Sequence, residues 1–156
     1  MKTKSVKLSE IYDVMKEMLD KGGTVNFNPR GTSMLPTLHN DGDRVVLKKL
    51  NKVKKYDLPL YIRDNGQFVL HRVHKVNRDG TFNMCGDNQW TLEKNVRQDQ
   101  IIGTVIKIYR GNKTFTTNNI IYKTYVILWV TIRPLRHIII GGTRKLLRIF
   151  HIKNRP

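Results

Sequence analysis

The sequence predicts a mainly β protein: a coiled, partly closed antiparallel sheet, with one helix before it and a helical, basic and apolar segment after it. Three observations carry this. Short alternating apolar runs recur between turn residues from Thr24 to Arg110. A stretch of helical period precedes them. Beyond Thr117 the composition becomes apolar and basic together.

The helix is expected from Ser9 to Lys21. Ile11, Met15, Met18 and Leu19 fall at i, i+4, i+7 and i+8 and make one apolar face. Ser9 is the candidate N-cap, and Gly22 and Gly23 the stop. Strands follow at Thr24 to Asn28, Asp43 to Lys49 and Leu58 to Arg63, the last with Pro59 tolerated near its start. "DNG" at Asp64 to Gly66 is a strong hairpin signal. Gln67 to Val76 then reads as one long strand, with Phe68, Leu70, Arg72 and His74 on one face and Val69, His71, Val73 and Lys75 on the other. Thr81 to Cys85 is a further strand, and Ile101 to Arg110 is the last clear one. The chain divides into an N-terminal helix (1–23), a β domain (24–116) and a C-terminal segment (117–156).

Charge is distributed unevenly. The 156 residues hold 29 basic and 12 acidic side chains, a net +17. Asp99 is the last acid, and 11 basic residues follow it. A tail of one sign predicts an anionic partner, lipid headgroup or nucleic acid. Asn118 to Ile132 is apolar apart from Lys123 and two asparagines, and its uninterrupted part is short for a membrane span. Further on, Leu146, Leu147 and Phe150 share a helical face, with Arg144, Lys145 and Arg148 elsewhere. That pattern suits an interfacial helix on anionic lipid. Nucleic acid is disfavoured, because aromatics are not interleaved with the basic residues as stacking platforms. The single cysteine, Cys85, excludes an internal disulfide framework and a cysteine zinc site, and no cofactor or metal is expected. The N-terminus has no apolar signal region, which makes the expected location peripheral, on the cytoplasmic face of a membrane.

The chemistry-bearing candidates lie around "PRGTSMLPTLHNDGDRVVL" at Pro29 to Leu47. Ser33 follows a flexible Gly31 and precedes a stiffening Pro36. Such a turn is common structural chemistry. It also aims backbone N–H groups at one point, which a nucleophile needs for its developing oxyanion. The candidate bases are His39, His71, His74, His137 and His151. His39 lies in a polar loop. His71 lies among apolar residues in "FVLHRV", a rigid setting in which a histidine serves equally as a satisfied core residue or as a base.

The order of the blocks bears on this choice. Ser33-Met34-Leu35-Pro36-Thr37, then Gly42-Asp43 opening a strand, then His71-Arg72, then Gly86-Asp87-Asn88 resembles the signal peptidase superfamily, which also holds the self-cleaving repressors. The resemblance covers Val25 to Tyr109. Where the bacterial type and the repressors carry Lys at the base position, this chain has His71, which resembles the Ser-His branch. A histidine is neutral near pH 7 with little tuning, whereas a lysine must be stripped of its proton by burial.

The resemblance implies a catalytic sheet of the signal peptidase type and a serine endopeptidase that removes a leader or signal segment from a precursor peptide. It implies Ser33 as nucleophile, His71 as general base, and Asp87 as the group that orients or stabilises the imidazolium. Met34 would pack beneath the turn, and the Ser33 N–H would serve the oxyanion hole. The chain departs from the family at Gly31, where the lysine type has a second hydroxyl, so the hole is backbone-only or completed by a group such as Thr32. After Asp87 the nearest carboxylate is Glu93. Neither a helix-turn-helix nor a self-cleavage site precedes Ser33, which argues against the repressor branch. The competing expectation is a non-catalytic basic module that binds membrane lipid or nucleic acid.

Overall fold

The computed structural model describes residues 8–40 and 42–135. The C-terminal interfacial helix and the candidate bases His137 and His151 lie outside the described residues. A 3-10 turn at Leu8–Glu10 leads into α1 (Tyr12–Asp20). Strands β1 (Thr24–Phe27), β2 (Asp43–Lys48), β3 (Pro59–Ile62), β4 (Phe68–Leu70), β5 (Arg72–Val76), β6 (Phe82–Cys85), β7 (Glu93–Val96), β8 (Ile101–Arg110) and β9 (Lys113–Thr116) follow, and then α2 (Ile120–Thr131).

The protein is mainly β and antiparallel, but the sheet is not one partly closed coil. It is two sheets. Six strands run in the order β1-β2-β8-β3-β4, with β9 also on β8, and three run β5-β6-β7. The ten-residue β8 organises the larger sheet: β2 pairs along one edge, and β3 and β9 share the other.

The expected long strand from Gln67 to Val76 is broken at His71. Phe68 to Leu70 pair with β3, whereas Arg72 to Val76 pair with β6. The chain therefore changes sheets at His71, whose N–H still reaches the Pro59 carbonyl at 3.3 Å. A period-two pattern continues through such a crossing, so alternation alone does not reveal it.

The helix also begins later than expected. Ile11 occupies the N-cap without a side-chain bond, and Ser9 lies in the preceding 3-10 turn. Met15 and Leu19 are buried, while Ile11 and Met18 are exposed, so only half of the expected apolar face meets the sheet. Gly22, at φ +81°, ends the helix as expected.

The apolar residues form two clusters, one on the larger sheet and one that residues of both sheets share. Met15, Leu19, Met34, Leu38, Val45, Leu47, Leu58, Leu60, Ile102, Val105 and Ile108 fill the first, so α1 and the Ser33 turn pack on the larger sheet. Tyr61, Val69, Val73, Phe82, Met84 and Val96 fill the second. The crossing at His71 runs between the two. Two strands were missed from sequence. β7 and β9 are polar four-residue runs with nothing apolar to bury but Val96 and Phe115, and both are read only through their pairing.

Candidate active site

The Ser33 turn is fixed from several directions. Gly31 adopts φ +101°, and its N–H donates to Asn40 Oδ1 at 3.0 Å. Met34 and Leu38 are buried beneath the turn, and the Leu38 N–H bonds the Met34 carbonyl at 2.9 Å. The Gly86-Asp87-Asn88 block clamps the turn from the other side. The Asn88 N–H donates to the Ser33 carbonyl at 2.8 Å, and Asn88 Nδ2 donates to the Thr32 carbonyl at 3.1 Å. Gly86 is needed for this approach, because a Cβ there would stand 2.6 Å from the Ser33 oxygen. At the base of the turn Arg110 forks onto Asp43 and donates to the Thr37 carbonyl at 2.8 Å.

Ser33 and His71 line one cleft of about 270 Å³, with Arg30, Met34, His39, Arg63 and Gln89 among its other walls. The Ser33 turn, β4 and the loop after β6 thus converge. Ser33 is half-buried, while His71 is 5% exposed. His71 also borders a second opening, shared with Asn88, Trp90, Thr91 and Glu93. A larger cavity, of about 680 Å³, lies against α2 and is lined by Lys52, Lys54, Lys55, Asp57 and Lys123, away from these groups.

Burial is the main influence on His71 and pushes its pKa down to about 4. Glu93 and Asp87 pull it up, and Arg63 pushes it further down. The ring is neutral at pH 7. His71 Nδ1 lies 3.3 Å from Tyr61 Oη, which donates to Glu93 Oε2 at 2.7 Å. Arg63 holds the far side of Glu93, with Nε 2.9 Å from Oε1 and Nη2 2.5 Å from Oε2.

Asp87 is fully buried, and both its oxygens are engaged: Arg72 Nε at 2.8 Å from Oδ1, Arg72 Nη2 at 2.6 Å from Oδ2, and Thr37 Oγ1 on Oδ2. Its influence on His71 is therefore through charge, which favours the imidazolium. The described part of the C-terminal segment belongs to this cluster. Tyr125 Oη is 2.8 Å from Thr37 Oγ1, and Trp129 Nε1 donates to the Asp87 carbonyl at 3.0 Å.

Of the other candidates, His39 lines the Ser33 cleft and stands 3.6 Å from Asp43, and His74 lies further along β5. Tyr61 and Arg63 escaped sequence reading, because neither belongs to a motif and their role depends on how β3 pairs with β4. Among the described residues no group of three or more His, Cys, Asp or Glu side chains is arranged to hold a metal ion. No protein-family model matches the chain, and no curated protein matches it.

Proposed function

We propose that the protein is a serine endopeptidase of the signal peptidase type, cutting a leader or signal segment from a precursor peptide. The observation that carries the reading is that Ser33 and His71, each singled out by its own block of sequence, line the same cleft. Ser33 attacks the scissile carbonyl. His71, neutral at working pH, accepts the hydroxyl proton and later returns it to the leaving amine. The negative charge of Asp87 favours the imidazolium that forms between these steps. The Ser33 N–H serves the oxyanion. The order of the Ser-Met, His-Arg and Gly-Asp-Asn blocks supports the finer assignment of the two-sheet β domain to the signal peptidase fold.

Membrane contact enters the same reading as peripheral docking. No helix among the described residues is long and apolar enough to cross a membrane. Ile120, Ile121, Ile127 and Leu128 of α2 and nearby Leu135 are exposed, as is Trp90 beside the second opening. Apolar side chains of this size, followed by a basic tail, suit an anionic lipid surface.

The test is N-terminal peptide mapping in the native cell, comparing wild type with Ser33→Ala and His71→Ala. The same precursors should accumulate uncut in both variants. Unchanged cleavage in both, with both proteins folded, sinks the peptidase reading and leaves the basic binding module.

A further inference from the structure

We propose that Tyr61 and Glu93 are positioning residues that fix the proton of His71 on Nδ1 and leave Nε2 as the free base. This rests on the Ser33–His71 reading of the cleft and supplies the part of it that Asp87, forked onto by Arg72 and bonded by Thr37, leaves open.

The argument is proton counting along one chain of contacts. Glu93 accepts from Arg63 Nε at 2.9 Å and from Nη2 at 2.5 Å. Burial opposes its charge, but the bonds from Arg63 and Tyr61 outweigh burial and hold the carboxyl below its usual range. An ionised carboxylate only accepts hydrogen bonds. The 2.7 Å contact between Tyr61 Oη and Glu93 Oε2 therefore uses the single phenolic proton. Tyr61 does not lose that proton, since burial and then Glu93 raise its pKa far above the ordinary phenol. The phenolic oxygen is left with lone pairs alone. His71 Nδ1, 3.3 Å away, makes a bond to it only as an N–H donor. A neutral imidazole carries one N–H, so Nε2 keeps its lone pair.

The four groups come from separate places in the chain. Arg63 and Tyr61 belong to β3 and its end, Glu93 opens β7, and His71 is the crossing between sheets. Pairing within both sheets brings them together. Packing limits their movement: Tyr61 has no exposed surface, and its ring lies 6.2 Å from that of His71. When His71 gains a proton on Nε2, the Nδ1 bond is kept and strengthens against the Glu93 charge behind it.

The experiment is ¹⁵N NMR of the imidazole rings of the full chain at pH 7, with His71 assigned by the signal lost in His71→Gln. Wild type is expected to show the Nδ1–H tautomer. Tyr61→Phe keeps the ring and removes the acceptor. It should move the tautomer ratio toward Nε2–H by about fivefold or more, the weight of one hydrogen bond. Glu93→Gln should move it the same way, because the amide can donate to Tyr61 Oη and turn the phenolic proton toward His71. An Nε2–H tautomer in wild type overturns the proposal, as does a ratio unmoved by both variants. The wild-type spectrum decides even if a variant fails to fold. Ser33→Ala keeps Tyr61 and Glu93 in place, so Nδ1–H should remain the major tautomer while precursor cleavage is lost, and loss of the peptidase reading in precursor mapping and loss of the relay in NMR are read separately.

Discussion

Arg72 and Asp87 form an ion pair that solvent does not reach: both side chains have zero exposure, and the guanidinium forks onto the carboxylate at 2.8 and 2.6 Å. Burial opposes the charge on Arg72, and the Asp87 carboxylate overcomes it, raising the guanidinium pKa further. Arg72 Nη1 also donates to the Tyr56 carbonyl at 3.0 Å. Removing one partner strands a charge in the interior, which costs about 3–5 kcal/mol. Arg72→Met and Asp87→Leu should each lose that much in urea unfolding. The double variant, with no charge left to bury, should recover most of it. A single variant that loses less than about 1 kcal/mol would mean that the pair does not hold the two sheets and α2 together.

His71 should make the protein acid-labile over a defined window. Its folded pKa is about 4 because the ring is buried, against about 6.5 when unfolded. Between these values the unfolded chain binds a proton that the folded chain excludes, so stability rises with pH. The contribution is complete above about 6.5 and is lost as pH falls toward 4, to a limit of about 3 kcal/mol. Asp43 and Glu93, whose folded pKa values are lowered, lose their contributions in the same direction at lower pH. Urea midpoints for wild type and His71→Gln at pH 7.5 and 4.5 isolate the histidine. Wild type should lose more than the variant, and equal losses would contradict a buried neutral ring. Under the peptidase reading, kcat/KM should stay level from neutral pH down to about 5 and fall through about 4.

The strands with apolar alternation were legible in the sequence nearly to the residue: Asp43–Lys48 and Ile101–Arg110 differ by one residue or none from expectation. Ser33 and His71, each read from its own block, line one cleft, and among the described residues no hydrogen bond joins their side chains. What the sequence hid is set by tertiary pairing. The break at His71 has no glycine or proline to mark it. Asp87 looked like a partner for His71, but the adjacent Arg72 takes its fork from the buried side. Tyr61 read as one more apolar strand residue, because its hydroxyl gains meaning only when β7 brings Glu93 to it. Tyr125 and Trp129 read as part of an apolar run, and only the packing of α2 turns them toward Thr37 and Asp87.

Gly86 offers a way to disturb the Ser33 turn without touching a reacting group. An added Cβ would meet the Ser33 backbone oxygen at 2.6 Å, and backbone cannot step aside as a flexible side chain does. Gly86→Ala should displace the turn and weaken the 2.8 Å bond from the Asn88 N–H. A displacement of about 1 Å at a reacting group costs on the order of 10²-fold in rate. Precursor cleavage should fall by that much, while circular dichroism at 25 °C stays that of the wild type. Full activity in Gly86→Ala would show that the clamp from the Gly-Asp-Asn block does not set the position of Ser33.

The exposed face of α2 gives the last prediction. Its inward residues, Tyr122, Tyr125, Val126 and Trp129, follow a helical spacing and pack toward Arg72, Thr37 and Asp87. Ile121 and Leu128 face away, at 77% and 60% exposure. Burying each in a lipid interface contributes about 1.5–3 kcal/mol, and the basic residues after Asp99 add attraction to anionic headgroups. The full chain should co-sediment with vesicles that contain anionic lipid, less so with purely zwitterionic ones, and less as salt rises. Ile121→Asp with Leu128→Asp should lower the vesicle affinity by about 100-fold or more while leaving the His71 ring signals unchanged. Vesicle binding equal to wild type in the double variant would remove α2 from the membrane contact and leave the attraction to charge alone.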